Sequence, residues 1–257
     1  MSSAEALATL ILENGPAVIL SGAGMSTESG IPDFRSSGGL WEQVDPYEVA
    51  SIDAFRTDPL RVWGWYGPRV ELLASAVPNA GHLALAELER DGRVQAVATQ
   101  NIDTLHLRAG SCEVVELHGS IRRFDCLSCG AVATLGMVLT HLREDLAPTC
   151  AACDAILKPG VVMFGEQLPE RAMARAEALC RGTRLLVVLG SSLEVWPAAA
   201  LPRETVRAGG TLAIVNLDET PYDGDAALIV REPVAVVLEQ VARILASGSG
   251  SDAPVVV

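Results

Sequence analysis

Six short polar or glycine-rich clusters each follow an apolar run, and this repetition constrains the fold more than any other feature of the chain. AVIL leads into Ser21, Gly22, Ala23 and Gly24. VQAVAT leads into Gln100, Asn101, Ile102 and Asp103, and EVVEL into His118 and Gly119. GVVM leads into Phe164, Gly165 and Glu166, LLVVL into Gly190, Ser191 and Ser192, and LAIV into Asn216, Leu217 and Asp218. Apolar runs this short, rich in Val and Ile, read as strands buried on both faces. The expectation is an α/β protein with a parallel sheet and helices on both faces. Ligands bind beyond the carboxyl ends of the strands in such sheets, so the polar chemistry should lie along one edge.

Between the strands, residues 3–13 read as a helix, residues 46–76 as helical in pieces, and residues 82–90 as a short amphipathic helix. From Ser29 to about Asp45 the chain is rich in Gly, Pro and Ser, too irregular for an element and too long for an ordinary connector, which points to a functional loop. Residues 122–153 interrupt the alternation and read as a small inserted module. A last helix is expected at about 233–246, followed by a disordered tail.

With 257 residues and 49% hydrophobic content, the chain can bury a large core, but at 4% aromatic content the packing must be mostly aliphatic. The formal net charge of −13 argues against a nucleic-acid surface, which needs a basic patch. Of the 19 basic residues only Lys158 is lysine, which reads as base composition rather than site chemistry. The chain shows no secretory signal and no apolar run long enough for a membrane span, so a cytoplasmic location is expected.

Cys126 and Cys129, then Cys150 and Cys153, form two CxxC pairs with 20 residues between them. In a chain of this class the spacing reads as one structural zinc with four thiolate ligands and no open position for catalysis. Cys112 and Cys180 have no such partners and read as ordinary packed residues. The small residues Gly22, Ala23 and Gly24 suit backbone amides approaching a pyrophosphate, and a plain strand–helix turn equally well, since Thr27 stands where a dinucleotide fingerprint wants a third glycine. His118 suits a general base, and a capping histidine equally well. Asn101 and Asp103 suit ribose, water or an amide ligand, or simple turn chemistry. Asp33 and Arg35 read as charges of the functional loop or as a surface pair. Asn216 and Asp218 offer a ribose contact at a late strand, so the dinucleotide would lie in a reversed sense.

Together GAGMSTESGIPDFR, TQNIDTLH, LHGS, the four cysteines, VVMFGE, GSSLEVWPA and IVNLD resemble the sirtuins, the NAD-dependent protein lysine deacylases, over roughly residues 15–240. The resemblance implies one catalytic domain over residues 1–257. Its Rossmann-like core would take about 14–30, 77–121 and 158–245, with a helical and cofactor-loop insert at about 31–76, a zinc module at about 122–157 and a tail at about 247–257. It implies NAD as co-substrate, bound by Gly22, Ala23, Gly24, Asp33, Phe34, Arg35, Trp41, Gln100, Asn101, Ile102, Asp103, Gly190, Ser191, Ser192, Asn216, Leu217, Asp218 and Val234. His118 would be the base, with Asn101 orienting ribose and water. Val161, Val162 and Phe164 would lie beside the acyl-lysine.

Tyr66 and Arg69, three apart on one helix face, resemble the branch of the family that reads a carboxylate at the end of the acyl chain. The expected partners are acylated lysines of proteins, and the expected activity removes acetyl, succinyl or malonyl groups with release of nicotinamide and O-acyl-ADP-ribose. One departure is Pro68, which costs a helix hydrogen bond between the two readers. A mono-ADP-ribosyltransferase, an NAD-dependent dehydrogenase and a non-enzymatic zinc-ribbon binding module are the rival readings.

Overall fold

The computed structural model describes residues 1–34, 39–42 and 44–248. Its larger layer is a six-stranded parallel sheet in the order β3-β2-β1-β7-β8-β9. The strands are β1 (Ala17–Ser21), β2 (Val94–Thr99), β3 (Val114–Glu116), β7 (Leu185–Leu189), β8 (Thr211–Val215) and β9 (Leu228–Val230). Between β3 and β7 the chain builds a second, antiparallel sheet in the order β5-β4-β6, from β4 (Gly119–Asp125), β5 (Val132–Thr134) and β6 (Lys158–Val161).

Alternate residues of the parallel strands enter two different cores. Ile19, Val97, Val187 and Val215 pack under α1 (Ser3–Asn14), α5 (Ala80–Arg90) and α10 (Val234–Gly248). Val18, Leu20, Ala96, Val188 and Ile214 pack under α8 (Glu170–Gly182) and α9 (Leu201–Arg207). Every residue of β1 and of β7 is buried, which is why these strands read as unbroken apolar runs. A third core joins the antiparallel sheet to α2 (Pro46–Val49), α3 (Ile52–Thr57), α4 (Pro59–Ser75) and α7 (Leu135–Arg143), around Trp63, Tyr66, Phe124, Leu157 and Met163. No helix among the described residues is long and apolar enough to cross a membrane.

Three expectations need correction. The GVVM run does not end a strand of the parallel sheet, since β6 pairs antiparallel with β4. Pro159 sits in β6, and an edge strand is where a residue without an N–H is tolerated. The sixth parallel strand is β9, a run too short to stand out. Cys112 is exposed rather than packed, because it lies in the turn before β3, where Glu89 accepts from its backbone N–H at 2.9 Å. Cys180 is buried as expected.

Two further points bear on the site. Helix α4 continues through Pro68. The residue before it is Gly67, which lacks the Cβ that a following proline ring would crowd. The last helix reaches Gly248, and the tail beyond it lies outside the described residues, as does Arg35.

Candidate active site

The order of the parallel sheet reverses between β1 and β7, and a crevice opens at such a switch point beyond the strand ends. Here the turns after β1 and β7 touch directly. Gly24 N–H donates to the Gly190 carbonyl at 2.9 Å, and Gly22 N–H to the Leu189 carbonyl at 3.0 Å. A Cβ on Gly22 would lie 2.7 Å from the Gly190 oxygen, and one on Gly190, which has φ +60°, 2.5 Å from Gly24 and Met25 backbone atoms. The glycines are therefore required by backbone packing between two turns. Ala23–Met25 continues as a single 3-10 turn.

The strand-end polar groups of β2 close the crevice. Gln100 Nε2 donates to Ser191 Oγ at 2.9 Å, tying the end of β2 to the turn after β7. Asn101 Nδ2 donates to the Gly22 carbonyl at 3.0 Å and to Ser26 Oγ at 3.1 Å. Both amide hydrogens are thereby used, and Oδ1 is the group left to accept. Asp103 is 4% exposed, and its carboxylate accepts from Ser26 Oγ at 2.7 Å and from Leu105 N–H at 2.8 Å. Burial raises its pKa, opposed by those two hydrogen bonds and by Arg108.

His118 lies at the junction of the two sheets. Leu117 N–H still donates to the Thr99 carbonyl of β2 at 2.9 Å, while Gly119, at φ +73°, turns the chain into β4. A side chain on Gly119 would come within 2.2 Å of the Gly160 oxygen. His118 Nδ1 lies 3.0 Å from the Gln100 carbonyl oxygen. A carbonyl only accepts, so Nδ1 carries the proton and the lone pair is on Nε2. Burial lowers the pKa of the ring, and the bond to Gln100 works against that shift.

Sequence reasoning missed the buried layer beneath Asp103. His82 Nδ1 lies 3.0 Å from Asn79 Oδ1, and its Nε2 faces Ser26 Oγ at 3.5 Å. His106 packs against His82 with ring centroids 4.9 Å apart, and its Nε2 lies 2.8 Å from Ser21 Oγ. The Pro78 to His82 stretch reads as punctuation in the sequence; the available signal was a histidine entering an amphipathic helix on its apolar side. Burial holds His82 down to about 4, and burial with the His82 charge holds His106 down to about 3. Both rings are neutral at pH 7. Their depressed values stabilise the fold fully above the unfolded value of about 6.5, and that stabilisation is lost as pH falls toward the folded values. The Tm should decline from about pH 6.5 downward, and His82→Gln should flatten the decline.

The aromatic residues gather at the other wall. Phe34 stacks on Trp41 at 5.0 Å, Trp41 on Trp65 at 5.4 Å, and Trp41 meets Phe164 edge-on at 6.3 Å. Trp65 meets Tyr66 edge-on at 4.7 Å. Residues assigned to the cofactor, Phe34 and Trp41, thus join residues assigned to the acyl-lysine, Phe164 and Tyr66. The Arg69 guanidinium lies 3.8 Å over the Trp65 ring, and its Nη1 donates to the Trp65 carbonyl at 2.6 Å. Arg69 Nε and Trp65 Nε1 are buried with no acceptor among the described residues. Burial and the charge of Glu166 raise the Tyr66 pKa, opposed by Arg69, so the phenol stays protonated. Val161 is buried, and Val162 N–H donates to the His118 carbonyl at 2.8 Å, which ties this segment to His118.

The remaining assigned residues spread outward. Ser191 and Ser192 follow Gly190, and Asp33 and Ile102 are half-buried, with Ile102 packed against the third core. Asn216 follows β8, with Nδ2 donating to the Asp218 carbonyl at 2.9 Å, while Leu217 and Asp218 are exposed. Val234 opens α10 with its side chain in the core.

The four cysteines of the CxxC pairs converge. Their sulfurs all lie within 4.8 Å of one another, with Cys126 to Cys153 at 3.5 Å and Cys129 to Cys150 at 3.6 Å. A tetrahedron with metal–sulfur bonds of about 2.3 Å has edges of about 3.8 Å, so the donor set fits one zinc. Each knuckle turns through a left-handed residue, Gly130 at φ +76° and Asp154 at φ +58°.

Residues 22–197 match the Sir2 family. The chain is a member of the Sir2 family. It is 43% identical over 232 residues to NAD-dependent protein deacylase 2 of Pyrobaculum aerophilum, covering 90% of this chain and 92% of that one. It is 44% identical over 219 residues to the NAD-dependent protein deacetylase of Thermotoga maritima, covering 85% and 89%. Among solved Sir2 structures, one with p53 peptide and NAD+ superposes with a TM-score of 0.86 at 41% identity, covering 98% of this chain and 100% of that one. Sir2Tm bound to a propionylated peptide superposes with a TM-score of 0.85 at 41% identity, again covering 98% and 100%.

Proposed function

We propose that this Sir2 chain is an NAD-dependent protein lysine deacylase of the cytoplasm whose acyl pocket takes succinyl and malonyl groups as well as acetyl. The observation that carries the deacylase reading is His118, fixed by Gln100 so that Nε2 holds its lone pair at the carboxyl end of the parallel sheet, just beyond β3. NAD, when bound, supplies an electrophilic ribose carbon from which nicotinamide departs. The turns around Gly22 to Gly24 and Gly190 to Ser192 would hold its phosphates and ribose, and Asn216 the far ribose. Asn101 would orient the near ribose and water through Oδ1. Asp103 would take the nicotinamide amide, each of its oxygens keeping acceptor capacity beyond the bond it already makes. His118 Nε2 would remove a ribose hydroxyl proton, and the freed oxygen would attack the acyl carbon. Val161, Val162 and Phe164 would pair with the substrate peptide as an added strand.

Two orphan donors support an acidic acyl group. A buried N–H without an acceptor is costly, and Arg69 Nε and Trp65 Nε1 both stand in that condition beside Tyr66. A carboxylate at the acyl end would satisfy them with charge-assisted bonds. Arg69→Met should therefore cost roughly 1.5–3 kcal/mol in kcat/KM for succinyl-lysine and much less for acetyl-lysine. The test compares the two peptides in wild type and variant by mass spectrometry. A succinyl-to-acetyl ratio that does not move would return the enzyme to plain deacetylation.

A further inference from the structure

The one lysine of the chain is buried at the start of β6. Lys158 is 5% exposed, and its ammonium donates to the Pro159 carbonyl at 3.0 Å and the Val161 carbonyl at 2.8 Å. Its third partner is Glu166 Oε2 at 2.9 Å. An ammonium has three donors, so all three are used. The same Glu166 oxygen accepts from Met163 N–H at 2.8 Å. These four contacts close residues 158–166 on themselves. Inside that closed segment, Val162 N–H reaches the His118 carbonyl, and Phe164 is bound on both sides, to Ala50 at 2.9 Å and Ile52 at 3.0 Å.

An ion pair with a buried ammonium and a half-buried carboxylate is rarely the cheapest way to fill such a space, because desolvation offsets much of the attraction. Geometry is what this pair provides here. Both ends of the segment are fixed to one point charge, and a tripod of single acceptors at 159, 161 and 166 suits an ammonium. We propose that Lys158 is a positioning residue, which through Glu166 holds the strand carrying Val161, Val162 and Phe164 in the register the acyl-lysine requires. This rests on reading that strand as the substrate strand. It gives the single lysine a task that the composition of the chain does not suggest.

The test separates the peptide from the cofactor. Lys158→Met should raise the KM for an acyl-lysine peptide by about tenfold or more, since small misplacement of a binding strand is costly. NAD affinity, measured by calorimetry without peptide, should change less than about twofold, as should zinc content; Lys158→Arg, which keeps the charge opposite Glu166 but not the compact three-donor ammonium, should recover only part of the loss. If Lys158→Met does not fold, Glu166→Gln serves. It removes the partner charge, keeps an acceptor for Met163 N–H, and should raise the peptide KM in the same direction. An unchanged peptide KM in either folded variant overturns the proposal, as does an equal loss of NAD affinity. Phe164→Ala is measured alongside. If it leaves peptide KM unchanged, the substrate-strand reading has failed; if it raises KM while Lys158→Met does not, only the positioning role has failed.

Discussion

Replacing His118 with alanine should slow deacylation by roughly 10²–10⁴-fold, the usual cost of removing a general base. The expected loss lies in kcat, because the ring holds no other element of the site together. Its side-chain hydrogen bond, from Nδ1 to the Gln100 carbonyl, contributes about 1 kcal/mol to the fold. NAD binding and Tm should stay close to wild type. The pH profile adds a sign. His118 acts when neutral, and burial lowers its pKa, so the acidic limb of kcat/KM should fall below the ordinary histidine value of about 6.5. Product formation followed by mass spectrometry against pH gives both quantities. An alanine variant within a few-fold of wild type, or an acidic limb above 6.5 that persists in the variant, would remove His118 from this role.

What was legible in the sequence, and what was not, follows from range. Leu186 and Val187 are neighbours in β7, yet they face different cores, and an apolar run reports both at once. The strand ends were therefore visible, and with them Gly22, Gln100, His118, Gly190 and Asn216. Sheet membership was not visible, because GVVM and LAIV look alike until β6 is seen to pair with β4. His82 and His106 were missed because their partners Ser26 and Ser21 lie 56 and 85 residues away. The enclosure of Lys158 was hidden for the converse reason. Its partners are close in sequence, but only burial shows that its charge is enclosed. Tyr66 and Arg69 were legible as a helix-face pair, whereas the fold of Arg69 back onto Trp65 was not, since a cation–π contact carries no spacing signal of its own.

One zinc per chain should be found in the purified protein, and Cys126→Ser should abolish its retention. The argument begins with the module's small core. Two knuckles, three short strands and α7 bury Phe124, Ala133, Val138 and Leu157, which is little apolar surface for an insert of this size. Backbone N–H groups of the first knuckle, that of Cys129 foremost, lower the Cys126 thiol to about 6 and so favour the thiolate that a metal needs. Binding free energy at a site of this kind is folding free energy. Loss of one ligand should therefore cost about 4 kcal/mol or more, among the largest single-site effects, and lower Tm by about 10 °C or more. The damage should also reach the active site. β4 begins at Gly119, directly after His118, and β6 carries Lys158 and Val161 and leads into Val162 and Phe164, the other residues assigned to the substrate. Deacylation should fall with the metal, while NAD binding at the turns after β1 and β7 should weaken far less. Elemental analysis, thermal melts and NAD calorimetry on the same samples decide it. Full Tm in a zinc-free variant would show that the four cysteines converge without holding the module together.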